Sequence, residues 1–185
     1  MEKEILSLFS DKDIVKRIKE RLSYLFQLAE MENSRDGKLG MEIGSARERA
    51  IIGLLIYKFG EKNVKTNITI TKPEIDTIVF NEPISIKTVT GKKILGVKLI
   101  WTVDSKKALE FSERYFPSCD IILAHIDWND KGHLYYFTKN SQIEVLENIG
   151  RLKYIKLPKE GTNSRGVEIS KMAIEKLSKH KDTKK

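Results

Sequence analysis

The sequence predicts an α/β protein in which a central mixed β-sheet is flanked by helices. Two segments with helical spacing open the chain, and three strand-like segments follow as a meander. A helix then separates these from two further strands, an order that places helices on the faces of a mixed sheet. The 185 residues, 40% of them hydrophobic, suffice for one domain with a real core and hardly for two. The expected organisation is a single domain over 1–185. Its parts are an N-terminal helical part (1–40), a core (41–138) and a basic C-terminal part (139–185).

Residues 13–29 carry Ile14, Val15, Ile18, Leu22, Leu25, Phe26 and Ala29 at helical spacing, with a charged opposite face. Residues 33–40, with two glycines and turn-forming side chains, predict a loop. A second helix is expected to open at Ser45, run through the apolar residues 50–57 and close at Gly60. Residues 64–70 alternate as a strand. Residues 74–80 and 84–89 form an expected antiparallel hairpin about a turn at Asn81-Glu82-Pro83. Residues 94–103 are strand-like but contain Gly96. Ser105 is the expected cap of a helix that Pro117 stops by residue 116. Strands are expected at 119–126 and 133–138, then helices at 143–148 and from about Ser170.

The 34 Lys+Arg against 26 Asp+Glu leave a net charge of +8. Residues 151–185 hold 11 basic and 4 acidic side chains, so this segment supplies +7 of it. A basic lobe on a nearly neutral body suits a polyanion, although lysine-rich surfaces also serve solubility. One cysteine, Cys119, excludes an internal disulfide and a multi-cysteine zinc site, and it is expected as a small buried hydrophobe. No apolar run reaches the length of a membrane-spanning helix, and the acidic start is no signal peptide, so a cytoplasmic protein is expected. His125, His133 and His180 lack metal-ligand spacing. No phosphate-binding glycine loop, nucleophile elbow or dinucleotide fingerprint is present. Kinases, P-loop motors and Ser-His-Asp hydrolases are therefore excluded, and no nucleotide cofactor is expected.

Four polar residues between Ser45 and Lys87 carry the chemistry: Glu48, Asp76, Ser85 and Lys87. Alternation sets Asp76 on one face of its strand, and sets Ser85 and Lys87 together on the next strand, which brings Lys87 beside Asp76. Two carboxylates and a lysine converging at a sheet edge can hold Mg²⁺ and a water against a phosphodiester. An exposed structural Asp–Lys pair would have the same spacing. Glu48 ends Ser45-Ala-Arg-Glu48, the pattern of a capping box, yet it also lies three, four and seven residues before Ile51, Ile52 and Leu55, on the stripe facing the sheet. Capping and ligation both fit. The second candidate site is the loop 159–167. There Asn163, Ser164 and Arg165 offer hydrogen bonds to bases or phosphates between two glycines, and a plain surface turn is the alternative.

The helix glutamate, the strand aspartate and the Ser85-Ile86-Lys87 triplet resemble the PD-(D/E)XK nuclease core, especially that of type II restriction endonucleases. Pro73-Glu74-Ile75-Asp76 stands for the degenerate P-D half and Ser85-Ile86-Lys87 for the (D/E)-x-K half. The chain departs from the pattern at Ser85, where the family has a carboxylate, and the resemblance implies that Glu48 replaces the missing charge. The order and spacing of Glu48, Asp76 and Lys87 are similar to those of the ThaI family of restriction endonucleases, which cut CGCG to blunt ends. That resemblance covers about residues 41–127.

It implies a restriction-endonuclease-like PD-(D/E)XK core and Mg²⁺ held by Asp76, Glu48 and the Ile86 carbonyl. Glu48, Asp76 and Lys87 would be the catalytic residues. A homodimer on double-stranded DNA with a short palindrome is also implied. It further implies that Met41, in the loop before the helix, wedges between base steps; a hydrophobic staple at the helix start is the other use of such a residue. A Holliday-junction resolvase or other structure-selective nuclease, and a non-catalytic DNA-binding protein, are the alternatives.

Overall fold

The fold is described from a computed structural model. It describes all residues except 1–2, 36–40, 69–73, 129–131 and 159–165; for 32–35 and 41–43 it describes the backbone alone. Three α-helices come first. A short α1 (Ser7–Ser10) leads into α2 (Lys12–Arg35), and α3 (Met41–Phe59) returns against α2. The Asp11 carboxylate starts α2 by accepting from Asp13 N (3.0 Å) and Ile14 N (3.2 Å). Its other oxygen takes the Lys58 ammonium from the last turn of α3, while Arg47 pairs with Glu30 farther along the two helices. Gly60, at φ 80, ends α3 in a conformation that costs glycine little, its N–H donating to Ile56 O.

Two boundaries differ from the sequence reading. Helix α2 continues through Arg35, beyond the expected loop start at residue 33, and α3 begins at Met41 rather than Ser45. Ser45 is therefore inside the helix, and Glu48 lies in the second turn. The Ser45–Glu48 capping box is corrected on that ground. Met41 is corrected likewise: it is the first helical residue instead of a loop residue, and its side chain lies outside the described residues.

Strands β1 (Val64–Lys65), β2 (Thr77–Val79) and β3 (Glu82–Thr90) form the expected antiparallel meander, with the first two shorter than expected. Pairing of Val79 with Glu82 leaves a two-residue hairpin loop of Phe80 (φ 49) and Asn81 (φ 65), both left-handed as a type I′ turn requires. The turn thus starts one residue earlier than Asn81-Glu82-Pro83, with Glu82 and Pro83 already paired in β3. Phe80 holds its unfavourable φ while its ring packs edge-on to Phe59, centroids 5.2 Å apart.

After β4 (Gly96–Ile100), α4 (Ser105–Arg114) is capped by Asp104 rather than Ser105. The Asp104 side chain accepts from Lys106 N and Lys107 N. Then follow β5 (Asp120–Ile126), β6 (His133–Phe137), α5 (Lys139–Ile149), α6 (Arg151–Tyr154), β7 (Ile155–Lys156), β8 (Val167–Ser170) and α7 (Lys171–Leu177). The main sheet is mixed, in the order β1-β2-β3-β5-β6, with β3 and β5 parallel. The basic region supplies β7 and β8, which join β4 in a separate antiparallel sheet of order β4-β8-β7 that the sequence reading did not contain. A Cβ at Gly96 would meet the Ile169 carbonyl oxygen at 3.2 Å and the end of the flexible Glu168 side chain at 2.6 Å.

Two cores sandwich the main sheet. Ile84 and Ile86 of β3, Ile122 and Ala124 of β5 and Tyr136 of β6 face α2 and α3, meeting Phe26, Ile51 and Leu55. Ile121, Leu123, Tyr135 and Phe137 face the other way, against Val97, Leu99, Val167 and Ile169 of the small sheet and the helices that flank it. Strand β5 is buried along its whole length, as a central strand covered on both faces must be. Among the described residues no helix is long and apolar enough to cross a membrane.

Candidate active site

Strand β2 pairs with only the first three residues of β3, from Glu82 to Ile84, while the other edge of β3 pairs with β5 as far as Thr90. Past Ile84 the β2–β3 ladder opens into a fork. Asp76, one residue before β2, sits in it, its N–H donating to Ile84 O (3.0 Å). The Asp76 carboxylate bridges the gap that a ladder bond would have filled. Its Oδ2 accepts from Ile86 N at 2.6 Å and from Ser85 Oγ at 3.2 Å. The amide and carbonyl of one strand residue project to the same edge, so the Ile86 carbonyl also faces the fork.

Lys87 follows one residue later on the face opposite Ile86. Its Nζ lies 3.6 Å from Asp76 Oδ2, and its side chain is 13% exposed against 23% for Asp76. The alternation of β3 explains this arrangement. Ile84 and Ile86 are fully buried under the helices, so Ser85 and Lys87 must point toward the small sheet.

Glu48 reaches the fork from α3. Ile51 and Leu55, three and seven residues on, are fully buried, which turns Glu48 toward the sheet as its spacing predicts. Its carboxyl is pushed up to about 7, first by burial and then by the nearby Asp76 charge, with Lys87 and Arg49 partly offsetting both. Two carboxylates near enough to repel, a backbone carbonyl at the same edge and a lysine beside them form an all-oxygen donor set with an adjacent ammonium. A hard divalent cation fits such a set, since it would offset the burial and the repulsion that together hold Glu48 partly protonated.

The sequence reading overlooked Glu74. Ser118 Oγ donates to its Oε2 at 2.6 Å, and Glu74, Ser85, Lys87, Tyr115, Cys119 and Gln142 share the walls of a cavity of about 10 Å³, room for one water. The signal was present in its i, i+2 relation to Asp76. Cys119 is buried and its thiol pushed up to about 11 by burial, as expected of a packing residue. His125 is likewise packed, its Nε2 2.7 Å from Gly91 O.

Glu144, His180 and Asp182 each bring a possible ligand atom within 4.8 Å of the others, a proximity that separate elements conceal in the sequence. The His180 ring is already engaged there: Nε2 lies 3.1 Å from Glu144 Oε2, and Nδ1 accepts from Asp182 N at 3.3 Å. Asn163, Ser164 and Arg165, like Pro73, lie outside the described residues.

A family model described as "Restriction endonuclease ThaI" matches residues 8–185. A solved structure described as "Restriction endonuclease in complex with substrate DNA" is similar at a TM-score of 0.92 and 54% identity, covering 98% of this chain and 88% of that one. No curated protein matches the chain.

Proposed function

Given that the chain belongs to the restriction endonuclease ThaI family, and so is a restriction endonuclease, a site-specific deoxyribonuclease acting on DNA, we propose that it cuts double-stranded DNA with Mg²⁺ at the palindrome CGCG, leaving blunt ends. Its α/β fold, with a five-stranded mixed sheet flanked by helices, is that of a restriction endonuclease. The observation that carries the proposal is the Lys87–Asp76 pair at the β2–β3 fork, with Glu48 near enough to feel both charges. The similar solved protein is described in complex with substrate DNA, which supports a duplex as the partner here.

Asp76, Glu48 and the Ile86 carbonyl would hold the ion, which supplies Lewis acidity toward water and phosphate oxygens. The protein's own groups do the rest. Ile86 N and Ser85 Oγ fix the Asp76 carboxylate, so its free lone pairs face the fork. Lys87 Nζ orients the attacking water and offers positive charge to the oxygens of the crowded phosphorus in the transition state. The protein acts as a homodimer, one subunit per strand of the two-fold site. Met41 contacts the bases from the start of α3, and Asn163, Ser164 and Arg165 contact the duplex from the basic lobe. The single-domain organisation, with a core at 41–138 and a DNA-contacting part at 139–185, belongs to the same proposal.

A digest of a sequenced plasmid with Mg²⁺ tests this. Discrete fragments whose ends map to the centre of CGCG support it. Discrete fragments ending elsewhere overturn the target while leaving the enzyme class, and branch-selective nicking overturns sequence-specific cutting.

A further inference from the structure

We infer that the surface formed by the end of β4 and the start of α4, centred on Trp101, is a second DNA-contacting element beside the active site. The inference rests on the nuclease reading and adds to it a surface that no motif announced.

Three observations meet there. Trp101 is 43% exposed and Val103 is 80% exposed, an apolar pair that water alone does not favour. Lys98 alternates with the buried Val97 and Leu99, so it faces outward from β4, and its Nζ stands 3.7 Å from the centroid of the Trp101 ring. Lys106 and Lys107 are exposed in the first turn of α4, beside the N-cap Asp104, whose carboxylate accepts from both of their backbone amides. Aromatic surface interleaved with lysines is the pattern that suits a nucleic acid, with ammonium groups on phosphates and the indole against sugars and base edges.

Position connects this surface to the chemistry. Leu99, two residues before Trp101, lines the same small cavity as Ser85 and Lys87. Gly166, at φ 104, packs against Ile100 and Trp101 so closely that a Cβ would collide with the Ile100 carbonyl oxygen. The strand that follows the proposed Asn163–Arg165 contact therefore joins the fold directly beneath Trp101.

The chain has two tryptophans, so Trp128→Phe leaves Trp101 as the sole indole. In a Trp128→Phe, Lys87→Ala chain with Mg²⁺, the emission of Trp101 is titrated with a labelled duplex containing CGCG, while the label's anisotropy reports binding on the same sample. The inference expects the emission to change in step with the anisotropy. Trp101→Ala should weaken binding about tenfold and Trp101→Phe much less. Lys98→Ala should lower the slope of log K against log salt by about 0.9. Binding with unchanged Trp101 emission, and Trp101→Ala binding as the parent does, would overturn this inference and leave the nuclease reading intact. An emission change that follows protein concentration instead of duplex would assign the surface to a second copy of the chain and equally overturn it. Absence of any duplex binding would overturn both readings.

Discussion

Two acidic groups, Asp120 on β5 and Glu48 on α3, meet very different fates. Asp120, at the start of β5, pairs in register with Ile84 of β3 and is 3% exposed. Every side of it is answered: Lys3 Nζ lies 2.7 Å away, Lys139 N donates at 2.6 Å, and the Tyr136 hydroxyl donates as well. Burial and that bond to Asp120 hold the Tyr136 hydroxyl well above its ordinary range. On α3, Glu48 is driven up to about 7 by burial and by Asp76, and no hydrogen bond is among the influences that relieve it. The difference separates structure from function. Asp120 is a finished knot that fastens the N-terminus and α5 to the sheet, whereas Glu48 and Asp76 are left in a conflict that the proposed cation would resolve.

The contrast is broken most sharply by substitution. Asp76→Asn or Lys87→Ala should reduce cleavage of a plasmid by at least about a thousandfold, with duplex binding largely retained, as expected when transition-state stabilisation alone is removed. Asp120→Ala should act on stability instead. It leaves Tyr136 and the α5 N-terminus without their acceptor and Lys3 with Glu82 alone, a loss of about 3 kcal/mol in urea unfolding. If Asp120→Ala folded as firmly as the parent, the knot would be misread.

Glu48→Gln sharpens the comparison. Because the folded protein holds Glu48 near 7 while an unfolded chain ionises it near 4.5, the charged form is penalised only in the fold. The metal-free parent should lose stability as pH rises between those values, and the penalty should be complete above about 7. Glu48→Gln should therefore be more stable than the parent by about 2 kcal/mol at pH 8 and equal to it at pH 4, while cutting about a hundredfold more slowly. Equal stability of the two proteins at pH 8 would remove the conflict. The smallest effect belongs to Tyr136→Phe, expected to cost about 1 kcal/mol with no change in cleavage rate, since one hydrogen bond of the knot is lost and nothing at the fork moves.

The site was legible because its elements are regular. The period of two in Ile84-Ser85-Ile86-Lys87, and the stripe Glu48, Ile51, Leu55, fix where three side chains point without knowledge of the rest. The start of α3 was not legible, since Ser45 followed three residues later by Glu48 imitates a cap inside a continuing helix. The small sheet escaped notice for another reason. Ile155–Lys156 is too short to show alternation, and Val167–Ser170 lies in a region whose charge dominates its pattern. The Asp120 knot depends on Lys3, 117 positions away, a contact that no local periodicity encodes.

The most direct measurement is the thermal unfolding of the parent and of Asp76→Asn at pH 8, each with and without Mg²⁺. A cation held between Glu48 and Asp76 should raise the Tm of the parent and leave that of Asp76→Asn unmoved. Equal shifts in the two proteins, or no shift in the parent, would contradict the claim that these carboxylates meet around a metal.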